Sequence, residues 1–163
     1  MNWLFSCLLL CYGIIGCAQP RIDGNVRGRN FEGYIFPKEQ NIGPVSFDDI
    51  KERFTPSAQE IATAEQFIEN QLAKVNESLV NQVGNCPIIH KNLSKYKRQY
   101  VGYINEQGDK VIWVNFIWGK RKDLLSNLNK DVIIVLDGCS YYWNIKVNIN
   151  KGMLYALQVN GIG

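Results

Sequence analysis

"YYWNIKVNI", residues Tyr141 to Ile149, is the stretch that decides the fold. Tyr141, Trp143, Ile145, Val147 and Ile149 alternate with Tyr142, Asn144, Lys146 and Asn148. Successive side chains of a strand point to opposite faces, so the pattern predicts a strand with one buried face and one wet face. Asn150-Lys151-Gly152 turns the chain, and "MLYALQVNG" (Met153 to Gly161) returns beside it. Upstream, "VIIVL" (Val132 to Leu136) reads as a strand running into Asp137-Gly138, a tight-turn signal. "RQYVGYIN" and "KVIWVNFIW" flank "EQGD", so Arg98 to Trp118 reads as a hairpin with a glycine-containing turn.

Ahead of these strands stands one helix. Thr55 is a suitable cap and Pro56 suits the first helical position. Ile61, Ala64, Ile68, Leu72, Val75, Leu79 and Val83 then recur at steps of three and four, with Glu60, Glu65, Glu69, Lys74 and Glu77 off that stripe. Gly84-Asn85 and Pro87 stop the run, which predicts a helix over 56–83. One long helix followed by strands predicts an α+β domain, the helix packed on a curved antiparallel sheet of about four to five strands. That topology resembles the cystatin-like architecture. The cystatin inhibitor motif, Gln-x-Val-x-Gly, is not matched by "QYVGY", where Tyr103 stands in place of the glycine.

The amino terminus has a different character. Residues 1–16 carry no charged side chain, and Trp3 to Ile15 is almost wholly apolar. As a helix this run reaches roughly 20 Å, short of the roughly 20 apolar residues a membrane span needs, and it fits the apolar core of a secretory signal. Ile14-Ile15-Gly16-Cys17 resembles the bacterial lipoprotein signal. The resemblance implies cleavage before Cys17, which becomes the acylated first residue of a membrane-anchored lipoprotein, carrying diacylglycerol and a fatty acid such as palmitate. The alternative is ordinary secretion with cleavage after Ala18. The chain then divides into a signal peptide (1–16), a tether and extended lead-in with a candidate edge strand near Phe31 to Pro37 (17–54), and a single α+β domain (55–163).

A formal net charge of +3 and a pI of 8.6 are mildly basic, below the level that points to nucleic acid. Of five cysteines, Cys7 and Cys11 fall in the signal and Cys17 takes the lipid. Cys86 and Cys139 remain, as a candidate disulfide or as two buried thiols. Asn76-Glu77-Ser78 and Asn92-Leu93-Ser94 match the N-glycosylation pattern, which has meaning only in a eukaryotic secreted protein.

A closer resemblance rests on "CPIIHKNLSKYKRQYVGYINEQGDKVIWVNF" and "DVIIVLDGCSYYWNIKVNINKGMLYALQVNG". Across Phe54 to Gly161 these look like short, uncharacterised lipoproteins of Bacteroidetes. The second turn of that group often reads Asp-Gly-Gly where this chain has Cys139, which argues against a disulfide general to the group. The resemblance implies location and fold, and no activity.

Catalytic chemistry finds little support. His90 is the only histidine, and Cys86 lies four residues before it. Cys86, His90 and Cys139 make fewer ligands than the four a structural zinc site takes. Asp48-Asp49 and Glu65 with Glu69 read as solvated surface and lack the cleft that paired-carboxylate hydrolysis requires. The sequence therefore predicts neither an enzyme nor a metal or cofactor site. Two surfaces remain as candidates. "GKRKD" sets Lys120, Arg121 and Lys122 in one cationic loop, and Tyr142 stands among strand aromatics that cannot all face inward, on a face able to receive sugar rings or a peptide. The expectation is a non-catalytic, lipid-anchored protein of the cell envelope, on a bacterial outer membrane or the periplasmic side of a membrane, that binds a protein or glycan partner. The alternative is an immunity-type or inhibitor protein that blocks a toxin or hydrolase there.

Overall fold

The computed structural model describes residues 24–163 together with the backbone of Gln19–Pro20. The signal-peptide and Cys17 lipidation expectations lie outside the described residues. The elements are β1 (Gln19–Pro20), β2 (Asn25–Arg27), β3 (Glu32–Phe36), β4 (Ile50–Phe54), α1 (Ala58–Val75), β5 (Tyr96–Asn105), β6 (Lys110–Trp118), α2 (Lys122–Leu125), β7 (Tyr142–Asn148) and β8 (Met153–Val159).

These strands form one eight-stranded mixed sheet of order β1-β2-β3-β5-β6-β7-β8, in which β4 also pairs with β5. This overturns the expected antiparallel sheet of four to five strands and its cystatin-like topology. The segment read as a lead-in supplies β2, β3 and β4. β3 falls where the candidate edge strand near Phe31 to Pro37 was expected, but it lies between β2 and β5 and not at an edge, whereas the short apolar groups of β2 and β4 show no period and only pairing reveals them as strands. β3 runs parallel to β5 along Arg98–Val101, and β4 runs antiparallel to the remainder of the same edge, Gly102–Asn105. Gly33 makes that parallel approach feasible, because a Cβ there would meet the Arg98 carbonyl oxygen at 2.3 Å.

α1 covers one face of the sheet. Its cap is Ser57 rather than Thr55: the Ser57 hydroxyl accepts from the Glu60 amide at 3.2 Å and the Glu60 carboxylate accepts from the Ser57 amide at 2.8 Å, a reciprocal capping box. Ile61, Ala64, Ile68 and Leu72 are wholly buried against Val114, Ile145, Val147 and the stacked Phe116–Trp143 pair, whose ring centroids lie 3.6 Å apart. Each of the larger aliphatic side chains contributes about 1.5–3 kcal/mol. The helix ends at Val75, well short of residue 83. Asn76 and Gln82 exchange side-chain amide bonds at 2.9 and 2.6 Å, and the chain between them turns through left-handed Leu79 and Asn81. Continuing the helix would leave buried amides without partners. Asn76 is 1% exposed and its amide is engaged, so the folded chain offers no glycosylation acceptor there.

The second face is covered as well. Residues 37–49 and 119–137 lie across it and bury Phe36, Phe47, Tyr103, Trp113 and Val132 in a second cluster. "VIIVL" is therefore an overlay and not a strand. Three side-chain amides hold its backbone. Gln99 accepts from the Ile133 amide at 2.9 Å, Asn115 donates to the Ile133 carbonyl at 2.8 Å, and Asn160 donates to the carbonyls of Val135 and Asp137. Gly138 is left-handed, as a turn at that point requires, but the chain passes through a short 3-10 turn at Cys139–Tyr141 into β7.

Two core tyrosines make the fold sensitive to alkali. Burial pushes the phenols of Tyr96 and Tyr100 above the ordinary value, and the Glu65 carboxylate beside Tyr100 adds to the effect there. The folded state keeps both protons where the unfolded chain releases them. Stability is thus full below about pH 10 and falls above it by about 1.4 kcal/mol per pH unit for each tyrosine. Urea midpoints measured from pH 9 to 11.5 should decline steeply above 10, and Tyr100→Phe should flatten the decline.

A groove on the face opposite the helix

β8 contains a bulge that builds the candidate site. Asn144 pairs with Gln158 and Lys146 with Tyr155, so Ile145 on β7 stands opposite two residues, Ala156 and Leu157. Ala156 takes the left-handed conformation, φ 50°. For a residue with a Cβ this costs about 1–2 kcal/mol. The extra residue reverses the alternation. Leu154, Leu157 and Val159 face the helix side, three and then two residues apart, while Tyr155 and Gln158 face the other side. Without the bulge Leu157 would face the groove and Gln158 the core.

The groove so formed encloses about 410 Å³ between residues 44–48, the overlay at 133–135 and the sheet. Aromatic side chains form its floor. Trp113 and Tyr142 are 5% and 6% exposed, so they offer little ring surface and no stacking platform. Asn144 accepts from the Trp113 indole at 3.0 Å, which leaves its amide nitrogen free to donate. Asn115 spends its donors on the Gln99 side chain and the overlay, and Asn160 spends its donors on the overlay, leaving carbonyl oxygens to accept. Gln158 and Asp48 are exposed at the rim.

Charge is largely neutralised inside. Lys146 pairs with Asp49 at 3.2 Å and sits over the rings of Phe47, Tyr103 and Tyr155 at 5.4, 5.6 and 5.8 Å. The Tyr103 hydroxyl donates to Asp49 at 3.1 Å, and burial pushes that phenol up. This cluster pins the 44–49 segment to the sheet.

The two surfaces anticipated from sequence meet at one end of the groove. Arg121 donates to the Tyr142 hydroxyl at 3.0 Å and grips Asp123 through two bonds of 3.0 and 2.7 Å. The Arg121 guanidinium holds the Asp123 carboxyl down to about 2. Lys120 and Lys122 are exposed, and neither forms an ion pair among the described residues. Tyr142 is a gate post of the groove, buried by the overlay, and not the open platform its place on the wet face suggested. Asn144, Gln158 and the Ala156 bulge were not singled out from sequence. The signal was the irregular spacing of Leu154, Leu157 and Val159.

Cys86 and Cys139 are joined by a disulfide, with Cα atoms 6.1 Å apart, away from this groove. Glu65 is 7% exposed and bonded to Arg98, so it is not the solvated residue its helical position implied. No group of three or more histidine, cysteine or acidic residues among the described residues is placed to hold a metal ion. No described helix is long and apolar enough to cross a membrane. Protein families, curated proteins and solved structures all lack a match to this chain.

Proposed function

We propose that the chain is a non-catalytic binding protein that takes an uncharged, hydroxyl-rich glycan segment in the groove opposite the helix, and that it is tethered to a bacterial envelope through lipid on Cys17. The observation that carries the binding reading is the Ala156 bulge. A strained, left-handed alanine exchanges an apolar wall for an amide one, and strain of this kind is retained where a site needs it. The groove then offers a free amide donor on Asn144, acceptor oxygens on Asn115 and Asn160, and the adaptable amide of Gln158, over a largely buried aromatic floor. Hydroxyl groups donate and accept at once, which suits this mixed lining, and the volume falls in the range of small-ligand sites. The tether reading is supported by the Ile14-Ile15-Gly16-Cys17 motif after an uncharged apolar run.

A glycan array probed with the full chain in detergent tests the binding reading. Neutral oligosaccharides should be retained, and Asn144→Ala combined with Gln158→Ala should abolish retention while the melting temperature stays within a few degrees. Retention that survives the double change, or is confined to acidic glycans and lost with Lys120 and Lys122, would remove the groove from the account. Metabolic labelling with a fatty acid tests the tether: label should enter the wild type and not Cys17→Ser.

A second reading, as an immunity-type or inhibitor protein, is favoured by the overlay's exposed apolar side chains. Ile134, on the groove wall, and Leu136, just past it, are 49% and 85% exposed, a hydrophobic pair suited to a protein contact. A partner captured by the wild type but not by Ile134→Ser with Leu136→Ser would support it.

A further inference from the structure

A second groove, of about 510 Å³, lies between α1, the 28–31 turn and the 3-10 turn around His90. Its floor is a buried ion pair. Arg98, 1% exposed, donates from Nε to Glu65 Oε1 at 3.1 Å and from Nη1 to the Tyr96 carbonyl at 2.6 Å. Glu65 Oε1 also accepts from the Tyr100 hydroxyl at 2.9 Å. Among the described residues no bond engages Arg98 Nη2 or Glu65 Oε2, and neither atom is a sealed, unpartnered group. Both residues line the groove, so one donor and one acceptor of opposite charge face it side by side.

The walls extend this pairing. Asn76 Nδ2 lies 3.0 Å from His90 Nδ1, and because the Asn76 oxygen is taken by Gln82, that nitrogen is the donor. His90 Nδ1 therefore accepts, the ring hydrogen sits on Nε2, and the histidine offers a second N–H donor. Glu69, one helical turn beyond Glu65, adds a second carboxylate, bonded through Oε1 to Asn30 at 3.4 Å. Phe31, Leu93 and Ala62 give the remaining wall an apolar stretch.

The geometry points to a binding site for a free α-amino acid with an apolar side chain. Its carboxylate pairs with Arg98 Nη2 and the His90 N–H. Its ammonium, one carbon away, pairs with Glu65 Oε2 and Glu69. Its side chain lies on Phe31 and Leu93. A buried ion pair is costly unless its remaining donors and acceptors are satisfied, and a zwitterion satisfies both ends at once. A ligand with a single charge satisfies one end and leaves the other exposed to it.

The chain's single histidine makes the test direct, because its imidazole signal in NMR reports this groove alone. The probes are L-leucine, N-acetyl-L-leucine and L-leucinamide, added to the full chain at constant pH. Leucine should shift the His90 resonances saturably, and each blocked analogue should bind at least about tenfold more weakly, the usual loss when one charge-assisted contact is removed. Glu69→Gln, on the exposed side of the helix, should weaken leucine by a similar factor and leave N-acetyl-leucine unchanged. The proposal is overturned if leucine gives no saturable shift, if either blocked analogue binds as well as leucine, or if Glu69→Gln leaves leucine binding intact.

Discussion

Arg98→Met is expected to lower the unfolding free energy by about 3–5 kcal/mol, the range for stranding one member of a buried ion pair. The substitution leaves Glu65, 7% exposed, without its cation, and removes the bond to the Tyr96 carbonyl. It also removes the guanidinium from over the Phe116 ring, 5.1 Å away. The penalty comes from the carboxylate left behind more than from the worth of the pair itself. Arg98→Met with Glu65→Gln should therefore be the more stable variant, because glutamine stays neutral and still accepts from the Tyr100 hydroxyl. Urea unfolding followed by tryptophan fluorescence separates the cases. A double variant as unstable as the single one would show that packing, and not charge, sets the loss.

Serine at both Cys86 and Cys139 should cost roughly 4 kcal/mol, the chain-entropy value for a closed loop of this length. The bridge spans 53 residues, tying the loop after α1 to the turn before β7. The native junction does not rest on the bridge alone. Ser140 donates to the Pro87 carbonyl at 2.6 Å, Tyr141 to the Asn85 carbonyl at 2.9 Å, and Tyr96 to the Ser140 carbonyl at 2.7 Å. These bonds persist without the disulfide, so the effect falls mainly on the unfolded chain, which gains freedom. The expected result is a lower urea midpoint with a steeper denaturant dependence and an unchanged native fluorescence spectrum. Equal midpoints with and without reductant would show that the unfolded chain is held together at this point by other contacts.

The two grooves differ in how visible they were. Arg98, Gln99 and Asn115 sit within apolar strand runs, and each proves to be a buried polar group with a structural task. Arg98 could be marked as unusual from its position, but its partner Glu65 lies 33 residues away on a helix face that reads as wet. Tyr142, Arg121 and the lysines beside it were legible as residue types, and their meeting at Tyr142 was not. His90 read as a lone histidine; its tautomer and its place on a groove wall depend on Asn76 and Gln82, brought together by the turn that ends the helix.

By itself the sequence determined what local periodicity can determine. The apolar stripe from Ile61 to Leu72 makes a helix, "EQGD" closes a hairpin, and the alternation in Tyr142 to Asn148 makes a strand with two distinct faces. Tertiary structure alone decided that the wet face is roofed over, that β2 and β4 join the sheet, that β3 lies inside it and shares one edge of β5 with β4, and that Ala156 turns an amide wall toward a groove. The physical reason is range. Periodicity reports what each residue does with its immediate neighbours, whereas a parallel pairing, an overlay held by three side-chain amides and a bulge are settled by partners dozens of residues away.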